Sequence, residues 1–190
     1  MAAFLGDDSP RALGLGRMPG FAASAALSQL PERVMSLTEN IPYEALEIGQ
    51  KATVTRTIEQ RDVLLFAALS GDCNPLHLDA DFAAKTLFRE PIAHGMLSGA
   101  LISAAVACNL PGPGTLYVDQ TMTFEKPVKL GDTLTVEIEV LEKLPKFRVN
   151  LATRVFNQHG EKVVDGVAKV VAPRKPVQVQ QVELPPVTVG

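Results

Sequence analysis

Hydrophobic and polar residues alternate with a period of two over much of the chain, which is typical of half-buried β-strands. In Thr133–Leu141, the residues Leu134, Val136, Ile138 and Val140 share one face, and threonine and glutamate occupy the other. The same criterion predicts four further strands: Lys51–Ile58, Thr115–Phe124, Phe147–Phe156 and Lys162–Val171. Five strands of this length are enough material for one sheet with a buried face.

The segment Gly95–Leu110 is apolar or small on every face when it is drawn as a helix, and Pro111-Gly112-Pro113-Gly114 ends it. A helix with that pattern must be surrounded by protein. It is too short and too rich in small residues to predict a membrane span. Because the later strands follow as a meander with a hairpin turn at Gln158-His159-Gly160, we expect an α+β fold in which a curved antiparallel sheet wraps one buried helix.

The region before the buried helix carries shorter elements. Thr57 and Gln60 form a Thr-x-x-Gln capping box, which predicts the start of a helix, and Gly71 is placed to terminate it. A second, short helix is expected over Phe82–Leu87, with Asp79 as its cap.

The ordered domain is expected to be residues 41–172. Residues 1–40 lack sustained periodicity and are interpreted as a poorly ordered leader, and residues 173–190 as an extended tail rich in proline and valine. A short apolar run at Ala22–Leu27 leaves a secretory signal as an alternative, although such signals usually have a longer apolar region.

Composition removes several classes of function. The net charge of −3 and the lack of a basic stripe argue against nucleic-acid binding. No stretch approaches the roughly 20 apolar residues of a membrane-spanning helix. The two cysteines do not form a disulfide framework, which favours a reducing, cytoplasmic location.

Two polar clusters carry the candidate chemistry, residues 71–79 and residues 92–97. Taken singly, Asp72 could stabilise a turn and a histidine near a helix start could be a satisfied core group. Together they predict a site for chemistry. The Asp72 carboxylate and the His77 imidazole are separated by a turn that contains proline, and both can therefore reach one water molecule. The Gly95 amide at a helix start adds an unpaired donor, which completes a site for chemistry beside a carbonyl group.

These clusters resemble the MaoC-like hydratase family, whose signature is close to Gly-Asp-x-Asn-Pro-Leu-His-x-Asp, then a Phe, then Ile-Ala-His-Gly-Met-Leu. The chain matches it from Gly71 to Asp79, at Phe88 and over Ile92–Leu97. It looks like the short (R)-specific enoyl-CoA hydratases that link fatty-acid β-oxidation to polyhydroxyalkanoate synthesis. The resemblance implies a single hot-dog domain, a homodimer, an acyl-CoA thioester substrate, and no metal or redox cofactor.

The reaction implied is reversible syn addition of water to a trans-2-enoyl-CoA, giving (R)-3-hydroxyacyl-CoA, which is hydro-lyase chemistry. The resemblance assigns catalysis to Asp72, His77 and the Gly95 amide, and substrate binding to Asn74, His94 and Ser103. Asn74 is expected to act by positioning the loop, and Ser103 by supporting the site from the buried helix.

Other functions remain open at this stage. His77-Leu78-Asp79 with His94 matches the loose pattern of a non-haem iron triad, although the second histidine normally comes from a distant strand. A different hot-dog acyl-CoA dehydratase, a thioesterase and a non-catalytic acyl-CoA-binding protein are further alternatives. Hydrolysis is disfavoured because thioesterases of this fold usually present a carboxylate from the central helix, where this chain has Ser98 and Ser103.

Overall fold

The structure is a computed structural model that describes residues 37–180 and 186–188. Most of the predicted leader, residues 1–36, lies outside the described residues. In the described part, the strands are β1 (Leu37–Glu39), β2 (Lys51–Thr57), β3 (Leu116–Phe124), β4 (Thr133–Leu144), β5 (Arg148–Phe156), β6 (Lys162–Val171) and β7 (Gln178–Gln180). The helices are α1 (Gln60–Ser70), α2 (Pro75–Leu78), α3 (Ala80–Ala83), α4 (Gly95–Cys108) and a 3-10 turn (Tyr43–Ala45).

Strands β2 to β6 form one antiparallel sheet in the order β2-β4-β5-β6-β3. All five strands predicted from the period of two are confirmed, with bounds that shift by at most three residues. In β4, Leu134, Val136, Ile138 and Val140 are buried, as the alternation predicts. The expected α+β class with an antiparallel sheet is therefore correct.

Helix α4 packs on this buried face of the sheet. Ile102, Ala105 and Val106 are buried in the same apolar cluster as Ile138 and Leu151. On the opposite side of α4, the Met96 side chain is 55% exposed. Within residues 37–180 and 186–188, the expectation that protein surrounds this helix on every face is thus not met.

The start of α1 differs from the prediction. The capping box is formed by Glu59 and Asp62, whose side chains each accept a hydrogen bond from the other residue's backbone amide. Thr57 instead ends β2, where its hydroxyl pairs with that of Thr133 at 2.9 Å. The Thr57–Gln60 box was wrong because the strand continues as far as Thr57 and Glu59 becomes the N-cap. Gly71 terminates the helix with a φ of 76°, as predicted.

Strands β1 and β7 pair antiparallel in a separate two-stranded sheet. Asn40 fastens this pair to the domain, since its side chain donates to the carbonyl oxygens of Pro113 and Lys175 and accepts from the amide of Val177. Residues on both sides of the expected 41–172 limits are thus part of regular structure, and the exact domain limits stay a prediction. Within the described residues, no helix is long and apolar enough to cross a membrane.

Candidate active site

The first polar cluster is a tightly turned loop between α1 and α2. A carboxylate oxygen of Asp72 accepts a hydrogen bond from the Asn74 amide at 3.2 Å. The Asn74 side chain in turn accepts from the Leu76 amide at 3.1 Å and caps α2. Asn74 therefore shapes the loop, and α2 presents His77 on the same side as Asp72.

His77 is held by a hydrogen bond between its Nδ1 atom and the carbonyl oxygen of Ile92, at 2.7 Å. Because a carbonyl can only accept, Nδ1 carries the proton in the neutral ring and Nε2 is left with a free lone pair. A carboxylate oxygen of Asp72 and ring nitrogens of His77 and His94 all lie within 4.8 Å of one another. At such separations one water molecule can bridge an acid and a base, since each hydrogen bond spans roughly 2.8 Å.

His94 lies behind this pair and is only 2% exposed. Its ring stacks on His77 with centroids 3.9 Å apart, and its other side meets Phe66 at 5.0 Å. The Nε2 atom of His94 is 3.0 Å from the backbone oxygen of Asp72, so Nε2 carries the proton here. Among the described residues, Nδ1 of His94 is buried without a hydrogen-bond partner.

Gly95 opens α4, a helix of 14 residues. Its amide belongs to the first turn, where no partner exists within the helix, and it lies in the positive field of the helix N-terminus. A Cβ atom at this position would lie 3.1 Å from Cε1 of Phe124. The absence of a side chain therefore lets the Phe124 ring pack directly against the start of the helix.

His77 and Gly95 line the same cavity, whose volume is about 320 Å³. Most of its wall is apolar and comes from α4, β6 and the segments around Phe88 and Phe124; the apolar lining residues are Phe88, Ile92, Ala93, Phe124, Pro127, Val128 and Val164. An apolar cavity that ends on a few polar groups suits a ligand with a hydrocarbon portion and a reactive polar end.

The sequence analysis did not assign Ser98 to the site, although this residue lines the cavity and is 2% exposed. It lies three residues after Gly95 and so on the same face of α4. Ser103, the serine assigned from the resemblance, is exposed on α4 and does not line this cavity. The spacing of Ser98 from Gly95 was a usable signal for the first of these serines.

A charged pair lies where the cavity reaches the surface. Lys126 lines the cavity and pairs with Glu161. The hydrogen bond from Lys126, helped by one from Asn157, lowers the pKa of the Glu161 carboxyl. Lys126, whose side chain is 48% exposed, therefore belongs both to the cavity wall and to the surface.

The geometry of the two histidines bears on metal binding. Asp79 does not join them; its side chain caps α3 by accepting from the Phe82 amide at 3.0 Å. The carboxylate that does approach them is Asp72. The facial triad of His77, Asp79 and His94 that the sequence pattern left open is therefore not the cluster that the structure assembles. Asp72, His77 and His94 instead offer three possible ligand atoms within 4.8 Å of one another.

An antiparallel five-stranded sheet with a central helix packed against it is the hot-dog fold. Residues 43–160 match the MaoC like domain family, and the chain belongs to that family. The (R)-specific enoyl-CoA hydratase of Rhodospirillum rubrum is 40% identical over 133 residues, which are 70% of this chain and 92% of the relative. The enzyme of the same name from Aeromonas caviae is 45% identical over 131 residues, 68% of this chain and 98% of the relative.

Solved structures agree with this assignment. The R-hydratase PhaJ1 of Pseudomonas aeruginosa, in its unliganded form, is 63% identical and superposes with a TM-score of 0.79. The match covers 82% of this chain and 100% of that one. The R-hydratase from A. caviae involved in PHA biosynthesis superposes with a TM-score of 0.67 over 68% of this chain.

Proposed function

We propose that this chain is an (R)-specific enoyl-CoA hydratase, a hydro-lyase that adds water reversibly to a trans-2-enoyl-CoA. The relatives named above carry this activity in their names and match most of their own length to this chain. The observation that carries the proposal is the close approach of the Asp72 carboxylate and the His77 imidazole beside a cavity that also exposes the Gly95 amide.

In the proposed reaction, Asp72 and His77 hold one water molecule over C3 of the enoyl chain. The Nε2 atom of His77 removes a proton as the water oxygen attacks C3, while Asp72 accepts the hydrogen bond from the second water hydrogen. Nδ1 remains protonated throughout, and its bond to Ile92 keeps the ring aligned. The same pair then returns the proton to C2, so that one molecule of water has been added across the double bond on one face.

The Gly95 amide is proposed to bind the thioester oxygen, where negative charge builds as C3 is attacked. A single donor of this kind contributes about 3–4 kcal/mol in enzymes where it has been removed. Among the substrate contacts, Asn74 acts through the loop that it shapes. Ser98 is added as a direct contact, because its buried hydroxyl faces the cavity. Ser103 stays a prediction from the resemblance.

We propose a homodimer in which β3 of one copy pairs with β3 of another. The two outer strands of the sheet differ, since β2 exposes Lys51 and Thr53 whereas β3 exposes Leu116 and Val118. A nine-residue edge strand with exposed apolar side chains invites pairing with another chain. Pairing about a two-fold axis would join the two sheets edge to edge. It would also place the second copy next to the exposed side of α4.

The product proposed here, (R)-3-hydroxyacyl-CoA, is the type of precursor that PHA synthesis uses, and the R-hydratase from A. caviae is involved in PHA biosynthesis. We also propose a cytoplasmic location. Cys73 and Cys108 are both free and exposed, which fits a reducing compartment.

The test is a hydration assay on crotonyl-, hexenoyl- and octenoyl-CoA, with loss of the enoyl thioester absorbance as the signal and chiral analysis of the product. The proposal expects turnover and the (R)-3-hydroxyacyl thioester. Binding without turnover would instead support the non-catalytic alternative, and release of free coenzyme A would support a thioesterase.

A further inference from the structure

His94 contacts both of the residues to which catalysis is assigned. Its Nε2 atom donates to the backbone oxygen of Asp72, and its ring face covers that of His77. Phe66 of α1 packs on the His94 ring as well. The ring therefore contacts three elements: the loop at Asp72, α2 and α1. A side chain in this place can fix the distance between the acid and the base.

The short segment Ile92–His94 holds both partners at once. The carbonyl oxygen of Ile92 binds Nδ1 of His77 at 2.7 Å, and two residues later the His94 ring binds the loop at Asp72. The segment itself is fixed, since the Ala93 amide donates to the carbonyl oxygen of Val128 at 2.8 Å. One hydrogen-bonded stretch of backbone thus fixes the positions of both Asp72 and His77.

The position of His94 argues against direct contact with a substrate. The ring is 2% exposed and is not among the residues that line the cavity. It also leaves Nδ1 without a partner among the described residues, which is an unfavourable arrangement for a buried polar atom. An apolar ring would avoid that cost, so stability alone does not explain a histidine here.

We propose that His94 is a positioning residue, which holds the Asp72 loop against the stacked His77 ring so that the two share one water molecule. This inference rests on the proposed hydratase function and replaces the substrate-binding role expected from the resemblance. Two features of the His94 side chain have separate roles in this proposal. The Nε2–H group holds the loop by donating to the Asp72 oxygen, and the flat ring supports His77.

Two variants separate these features. His94→Phe keeps a flat ring against His77 and Phe66 but has no donor for the Asp72 oxygen. His94→Gln keeps a donor at the end of the side chain but has no ring. His159→Ala, in the exposed hairpin, is the control for substitution of a histidine far from the site.

For His94→Phe we expect kcat to fall by about 10- to 100-fold, because small misplacements of reacting groups have effects of that size. KM should stay within about threefold of the wild-type value, since the cavity wall is unchanged. The melting temperature should be equal or higher, because the orphan Nδ1 atom is removed. His94→Gln should recover part of the kcat lost in His94→Phe.

Proton NMR of the His77 ring gives a readout that does not depend on turnover. Stacking at 3.9 Å shifts the His77 ring protons upfield. The shift should persist in His94→Phe and disappear in His94→Gln. Loss of the shift already in the wild-type protein would refute the stack itself.

The outcomes distinguish this inference from the function on which it rests. If the wild-type protein does not hydrate enoyl-CoA, the proposed function fails, whatever the variants do. If the wild type is active and His94→Phe has normal kcat, the positioning role fails alone. A rise in KM with unchanged kcat would also overturn it, in favour of substrate binding. A kcat loss that follows a lowered melting temperature would point to a purely structural role and overturn it too.

Discussion

The Nδ1 atom of His77 lies 2.7 Å from the carbonyl oxygen of Ile92, and this contact determines which imidazole nitrogen is free to act as a base. A carbonyl cannot donate, so the neutral ring must keep its proton on Nδ1, which leaves the lone pair on Nε2 for the proposed base. The Ile92 carbonyl thereby orients the His77 ring, as a third side chain orients the base in many acid–base sites. No carboxylate is needed behind the ring.

The first prediction concerns the acid and the base separately. Asp72→Asn and His77→Ala should each reduce kcat by about 10²–10⁴-fold, the usual contribution of general acid–base catalysis. Both proteins should remain folded, because Asp72 is exposed and His77 only partly buried. The assay on crotonyl-CoA measures the rate, and circular dichroism with melting curves checks folding. Near-normal turnover in both variants would reject the assignment.

Gly95→Ala tests the proposed role of the Gly95 amide as oxyanion donor. The new Cβ atom would lie 3.1 Å from Cε1 of Phe124, so the ring or the helix start must shift. We expect kcat to fall by roughly tenfold or more, as a misplaced donor loses part of the effect of a missing one.

Phe124→Leu gives the matched control for this variant. If crowding is the cause, the double variant Gly95→Ala/Phe124→Leu should be more active than Gly95→Ala alone. Equal activity of the single and double variants would show that the ring is not involved.

The proposed dimer interface can be tested by placing a charge on either edge of the sheet. Val118→Lys, on β3, should shift the protein from dimer to monomer in light scattering coupled to size exclusion. Thr53→Lys places the same charge on β2, at the other edge, and should leave the dimer intact. Dissociation by Thr53→Lys, or an unchanged Val118→Lys dimer, would contradict pairing through β3.

The cap of α1 leads to a prediction on stability. The Asp62 carboxylate is 7% exposed, accepts from the Glu59 amide at 2.9 Å and pairs with Arg56 at 2.5 Å. Asp62→Ala should therefore lower the free energy of unfolding by about 1–2 kcal/mol in denaturant titrations, the usual effect of losing a cap. Arg61→Ala removes an exposed ion pair with Glu59 and should change it by less than about 0.5 kcal/mol. Equal losses of unfolding free energy in the two variants would contradict a larger contribution from the buried Asp62 carboxylate.

The strands were predictable because burial of one face makes apolar and polar residues alternate. This alternation is visible within about five consecutive residues of a strand. The buried set of Leu134, Val136, Ile138 and Val140 was readable directly from β4. Pairing of β1 with β7 was not readable, because Leu37–Glu39 and Gln178–Gln180 are only three residues each and lie far apart in the chain. Such short strands carry no periodic signal of their own.

The site was predictable as far as its motifs reach. Asp72, His77 and Gly95 belong to two continuous segments, and proline and glycine fix the local turns that aim them. The contacts of His94 were not predictable, since its burial and its stack on His77 depend on how α1, α2 and α4 pack. Ser98 was missed because a helix that is apolar on all sides does not itself reveal which side faces a cavity. Its spacing of three residues from Gly95 was the one signal that could have placed it.

The central claim is that Asp72 and His77 act as a unit on one water molecule, and a double-mutant cycle tests it most directly. The hydration rate of crotonyl-CoA is measured for Asp72→Asn, His77→Ala and the double variant. Since removal of either partner of a unit already abolishes its action, the double variant should be hardly slower than the slower single variant. Losses that multiply, so that the double variant is slower by the product of the two single effects, would contradict a shared water.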